Sequence, residues 1–142
     1  MQYTCQITKT ESDGKTFYDA EFPDIPNAFT CADTPEAIRD NAQDVLNAML
    51  SAMLSERMPL PEARTKPDPK KGQEAFQVEN RLAVAYAIFE ARRGRTAAEI
   101  ARKMGITRQA YGRLENPKAS LTVATLEKFA KAVGKKLVIK FE

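Results

Sequence analysis

Arg108, Gln109 and Arg113 fall on one side of a helical period, with Tyr111 and Leu114 on the other. A guanidinium donates two parallel hydrogen bonds to the O6 and N7 edge of guanine, and a glutamine matches the N6 and N7 edge of adenine. Thr107 opens this segment, and Asn116 and Lys118 follow it in a polar loop. A helix start and such a loop suit phosphate oxygens. A second set, Glu11, Asp13, Asp19, Glu21 and Asp24, crowds carboxylates into the first 24 residues. Carboxylates so placed oppose a basic protein surface, hold a hard metal, or simply solvate an outer strand.

Two counts narrow the chemistry. The 142 residues contain no histidine, which removes His-based triads, His general acids and bases, and most catalytic zinc sites. Cys5 and Cys31 are too few for a disulfide framework or a four-ligand zinc site. A metal-dependent nuclease resembling ribonuclease H would need several carboxylates converging from neighbouring elements. The first strand, residues 3–10, carries none. No catalytic residue, metal or cofactor is therefore expected, and the chain reads as a non-enzyme.

The base-reading side chains need a rigid mount. Thr96 with Glu99 forms a capping-box pattern, Ala101 is small where a second helix must cross, and Gly105 permits a sharp left-handed turn. Thr107 then caps the next helix, with Ile106, Tyr111 and Leu114 pointing inward. Two helices joined this way form a helix-turn-helix. The period predicts helices over residues 80–92, 96–104, 107–115 and 122–133. A terminal strand is expected over 136–141, where Leu137, Ile139 and Phe141 alternate with Lys136, Val138 and Lys140. It would pair within the chain or across a two-fold axis. The helix at 80–92 is apolar on nearly all sides, which suits docking the two modules or two copies.

The acidic set sits in a different pattern. Tyr3, Cys5 and Ile7 alternate with polar residues, Asp13-Gly14 supplies a hairpin turn, and residues 17–22 alternate again. A turn at residues 23–27, a short strand at 28–32 and a long helix capped by Thr34 follow. Ile38, Val45, Leu46, Met49 and Met53 mark that helix's apolar face. A fourth strand is read at 75–79. The fold class is α+β: a small antiparallel sheet with a helix, then an all-α domain with a terminal strand.

Charge divides the chain in the same place. Residues 1–62 hold four basic and eleven acidic residues, net −7, and residues 63–142 hold eighteen and eight, net +10. Basic modules attract polyanions by releasing counterions. Four prolines (Pro59, Pro61, Pro67, Pro69) lie in residues 58–74, which read as a semi-rigid extended linker. The domains are read as 1–79, the linker included, and 80–142. No apolar run spans a bilayer and the first residues form no leader, so a cytoplasmic location is expected.

Residues 80–133 resemble the phage-repressor-like helix-turn-helix family, and Arg-Leu-Glu-Asn-Pro at 113–117 is typical of it. That resemblance places Arg108, Gln109 and Arg113 at bases, and Asn116 with Lys118 at phosphate. Tyr111 departs from the family's aliphatic residue. Residues 22–37, Phe-Pro-Asp-Ile-Pro-Asn-Ala-Phe-Thr-Cys-Ala-Asp-Thr-Pro-Glu-Ala, resemble the HicB-type antitoxins of bacterial toxin–antitoxin pairs. Asn27-Ala28 stands where that family has Gly-Cys, and Ala32 where it has a second Gly. The resemblance implies a partial ribonuclease-H-like fold without the nuclease's acidic site. It also implies a partner, a small basic HicA-like toxin that cleaves messenger RNA, and double-stranded operator DNA bound for autorepression. The five acids are the residues available to face that toxin. A homodimer or higher even-numbered oligomer is expected, because one recognition helix reads too few bases to select a site. The alternative is a stand-alone helix-turn-helix regulator whose first domain senses a ligand or mediates dimerisation.

Overall fold

The computed structural model describes the whole chain, Met1–Glu142. It divides into two compact units, Met1–Glu79 and Asn80–Glu142.

In the first unit, β1 (Gln2–Ser12) and β2 (Lys15–Glu21) form a hairpin closed by Asp13 and Gly14 at φ +51° and +75°. Ser12 stands opposite Lys15, the register a two-residue turn dictates. β3 (Phe29–Ala32) adds to β2 and β4 (Gln73–Gln77) to β1, giving an antiparallel sheet of order β3-β2-β1-β4. The fourth strand begins two residues earlier than the sequence reading, because Gln73 pairs with Gln6 directly after Gly72. Gly72 is required there: a Cβ would lie 2.8 Å from the Ile7 carbonyl oxygen.

α1 (Pro35–Ser55) starts where Thr34 Oγ1 accepts from the Ala37 amide at 3.1 Å. It buries Ile38, Ala42, Leu46, Leu50 and Leu54. Val45, Met49 and Met53, expected on that face, are only half-buried. Rows of residues four apart run obliquely to a helix axis, so the buried stripe drifts around α1 and takes in Leu50 and Leu54 in place of Met49 and Met53. Phe22 and Phe76 complete the core edge-to-face, ring centroids 5.8 Å apart.

The proline-rich segment is a strap on the first unit rather than a free spacer. Tyr3 Oη donates to the Pro61 carbonyl at 2.7 Å, Thr4 Oγ1 to the Thr65 carbonyl at 2.6 Å, and Gln6 Nε2 to the Lys71 carbonyl at 2.6 Å. A 3₁₀ turn at Pro69–Lys71 then leads into β4.

The second unit contains α2 (Asn80–Arg92), α3 (Ala97–Met104), α4 (Arg108–Gly112) and α5 (Val123–Ala132). Its core joins Ile88, Ile100, Ala101, Tyr111, Leu114, Phe129 and Val133. The terminal strand expected over residues 136–141 is absent from the chain. Alternation is present, but no strand of this all-α unit offers an edge, and a strand needs a partner for its backbone groups.

Candidate functional site

α3 ends on a left-handed Gly105 at φ +71°, with Ile106 N donating to Ala101 O at 3.0 Å and Gly105 N to Arg102 O at 3.1 Å. That pair of bonds satisfies the last carbonyls and reverses the chain within two residues. Thr107 Oγ1 then accepts from the Ala110 amide at 3.0 Å and starts α4. Arg108 and Gln109 stand exposed on its first turn. α4 is shorter than the 107–115 expected, because the backbone tightens after Gly112. Arg113 N donates to Ala110 O and Leu114 N to Tyr111 O, at 3.3 and 2.9 Å. Arg113 keeps helical dihedrals, so its exposed side chain still follows Gln109 by one turn. In the next loop, Asn116 Oδ1 accepts from the Lys118 amide at 2.9 Å, and both residues are exposed.

This short helix is fixed from behind by a buried ion pair. Arg92 Nε and Nη2 donate to the two Glu115 oxygens at 2.7 and 2.8 Å, and Arg92 Nη1 donates to the Arg95 carbonyl at 3.0 Å. The side chains are 13% and 3% exposed. The guanidinium carbon lies 5.6 Å from the Phe89 ring centroid and 6.0 Å from that of Tyr111. Bonding to Glu115 raises the Arg92 pKa further above its ordinary value. Burial, then the Glu115 carboxylate, pushes the Tyr111 hydroxyl well above 10.0, so it is held neutral. Tyr111 also packs on Phe129, centroids 6.5 Å apart.

The five acids do not form one cluster. Strand pairing puts Asp19 and Glu21 on the outer face of β2, opposite Cys31 and Phe29 of β3. Phe17 shares that face, and Phe17 and Phe29 are 40% and 66% exposed. The strap covers Thr4 and Gln6 toward the β1–β4 edge and leaves this β2–β3 half bare. Asp13 sits in the hairpin turn, and Glu11 pairs with Lys9 at 3.6 Å on the opposite side parity of β1. Asp24 is set apart. Its oxygens accept from Thr65 N and Thr65 Oγ1 at 2.8 and 2.9 Å, so the carboxylate already serves the strap. No three His, Cys, Asp or Glu side chains converge to hold a metal ion.

A family model described as the HicB-like antitoxin of a bacterial toxin–antitoxin system matches residues 2–77, more than half the chain. The chain belongs to that family. A helix-turn-helix model matches residues 87–139, so this HicB-like antitoxin carries a DNA-binding domain behind its antitoxin domain. Antitoxin HicB 1 of Photorhabdus laumondii subsp. laumondii is 28% identical over 148 residues, covering 100% of this chain and 88% of that relative. A solved HicA3 and HicB3 toxin–antitoxin complex contains a chain with 28% identity and a TM-score of 0.39, covering 56% of this chain and 96% of that one. No helix is long and apolar enough to cross a membrane.

Two features of the HicB-like chain were not visible in its sequence pattern, and a third was visible only faintly. The Asp of the Pro-Asp-Ile-Pro turn is a strap anchor, not a free charge. Arg92–Glu115 joins residues 23 apart, beyond any helical period. Phe17 and Phe29 carry a weaker signal: alternation puts Phe17 with Asp19 and Glu21, and an aromatic on an acidic outer face is the anomaly to notice.

Proposed function

We propose that the first unit neutralises a small basic HicA-like toxin that cleaves messenger RNA. On this reading the second unit binds operator DNA as a two-fold pair and represses the toxin–antitoxin operon. The observation that carries the proposal is the separation of sites by charge. The first unit holds eight basic and fourteen acidic residues, net −6; the second holds fourteen and five, net +9. The toxin faces Asp19 and Glu21, with Phe17 and Phe29 as apolar anchors flanking them. Thr107, Arg108, Gln109 and Arg113 enter the major groove, and Asn116 and Lys118 meet phosphates. Repression needs no reaction, since an occupied operator excludes polymerase. The protein acts without a cofactor, in the cytoplasm.

The test is co-expression with the neighbouring reading frames, followed by pull-down and gel-shift titration on DNA upstream of the gene. A small basic protein that co-purifies, with growth rescued and a sequence-preferring shift, is the expected result. Solitary purification without rescue, alongside a specific shift, would leave a stand-alone regulator instead.

A further inference from the structure

α5 ends on Gly134 at φ +71°, with Gly134 N donating to Lys131 O at 3.1 Å and Lys135 N to Ala130 O at 2.8 Å. Beyond it the chain is neither helix nor strand. Val138, Ile139 and Phe141 are 74%, 56% and 97% exposed. An alternating segment rich in β-branched and aromatic residues, held open beside a folded domain, is an edge awaiting a partner.

The charges identify that partner. Leu137, Ile139 and Phe141 share one face, and Lys136, Val138, Lys140 and Glu142 the other; Lys140 Nζ already lies 3.2 Å from Glu142 on its own segment. Antiparallel self-pairing must keep like face on like face, which leaves axes passing through a residue and excludes axes between residues. An axis through Val138 sets Lys136 against Lys140 twice. An axis through Lys140 sets it against itself. An axis through Ile139 sets Leu137 against Phe141, Ile139 against Ile139, and Lys136 against Glu142 at both ends. Like charges directly opposite destabilise a pair and opposite charges stabilise it. An axis through Phe141 opposes Lys140 to Glu142 but pairs three residues only, and an axis through Leu137 draws in the Gly134 turn that ends α5. The axis through Ile139 alone pairs the whole segment with unlike charges at both ends.

We propose that residues 136–142 pair antiparallel with the same residues of a second copy, on a two-fold axis through Ile139. The ribbon joins two helix-turn-helix units and covers the exposed Ile139 and Phe141 side chains. The proposal rests on the two-fold operator reading above and adds its interface.

The experiment is disulfide trapping in the full chain on a Cys31→Ala background, Cys5 being fully buried. Ile139→Cys, Val138→Cys and Lys140→Cys are compared under mild oxidation. Opposed Cα atoms in an antiparallel pair lie about 4.5–5.5 Å apart, within disulfide range. Ile139→Cys is expected to give a covalent dimer, and the other two little. Independently, Lys136→Glu weakens self-association about tenfold in sedimentation, and Lys136→Glu with Glu142→Lys restores it. Trapping at 138 or 140 instead of 139 overturns the register. A dimer that none of the cysteines traps and Lys136→Glu leaves intact overturns the interface while two-fold operator binding stands. A chain that is monomeric when it fills the operator overturns both.

Discussion

Replacing Arg92 by alanine strands the Glu115 carboxylate, whose side chain is 3% exposed, without its two guanidinium donors. Removing one partner of a buried pair costs about 3–5 kcal/mol, because the other charge stays desolvated without its counter-charge. A 63-residue unit at about 0.05–0.15 kcal/mol per residue holds only about 3–9 kcal/mol in all. Arg92→Ala therefore removes a third or more of the second unit's stability, and its Tm falls by about 12 °C or more. Glu115→Ala is milder, since the guanidinium keeps the Arg95 carbonyl and its ring contacts and has water in reach.

Hydrogen-exchange mass spectrometry with thermal unfolding separates the units. Arg92→Ala is expected to deprotect peptides within residues 80–135 and leave peptides within 2–77 protected. Operator binding falls with it, because α4 loses its backing. The decisive variant is Arg92→Met with Glu115→Leu, which replaces both charges by apolar groups and should recover most of the loss. If the double variant is less stable than Arg92→Ala, or if Arg92→Ala shifts the unit's Tm by under about 5 °C, the pair is not what holds α4.

Arg108→Ala is expected to weaken operator binding by about 1–3 kcal/mol and relax preference at one base pair, whereas Lys118→Ala weakens operator and random DNA alike and lowers the salt slope by about one. Parallel gel-shift titrations at several salt concentrations check both; equal losses for Arg108→Ala on either DNA would make it a phosphate contact. Phe29→Ala should speed toxin dissociation with little change in association, whereas Asp19→Lys should chiefly slow association, both read in surface-plasmon measurements. Unchanged kinetics for both would clear the β2–β3 face of the partner. Burial pushes the Cys5 thiol from 9.0 up to about 11, and the Tyr111 hydroxyl also rises. Both groups bind protons more tightly when folded, so the stability from Cys5 is intact below pH 9 and lost as pH rises through about 11. That loss is about 2–3 kcal/mol, read as a falling urea midpoint; a flat profile to that pH would contradict it. Near pH 8 a thiol reagent should label Cys31, which is exposed, and reach Cys5 only on unfolding.

Local order was legible because its causes are local. Thr34, Thr96, Thr107 and Thr122 each accept from the amide three residues on, and α2 spans Asn80–Arg92 as its period requires. Asn27 takes φ +61°, the left-handed role of the glycine it replaces in the resembling turn. What sequence could not supply was the choice of distant partners. Thr4 with Thr65, Asp24 with Thr65, and Arg92 with Glu115 are 61, 41 and 23 residues apart. Alternation at residues 136–141 told which side chains share a face but not which chain provides the neighbour.

The strap explains why the charge sign changes inside the first unit instead of at its end. Residues 63–79 bring Arg64, Lys66, Lys70 and Lys71 against Asp68, Glu74 and Glu79, yet belong to the unit of net −6. Lys71 is fixed by its carbonyl to Gln6, and Gln6 lies on β1, away from β3. The strap backbone at Lys71 and Gly72 is therefore tied to β1, while Asp19 and Glu21 stay exposed on β2. Holding the strap backbone by Tyr3, Thr4, Gln6 and Asp24 leaves Asp19 and Glu21 open on that half of the sheet, and a negative face is complementary to the basic partner proposed for it.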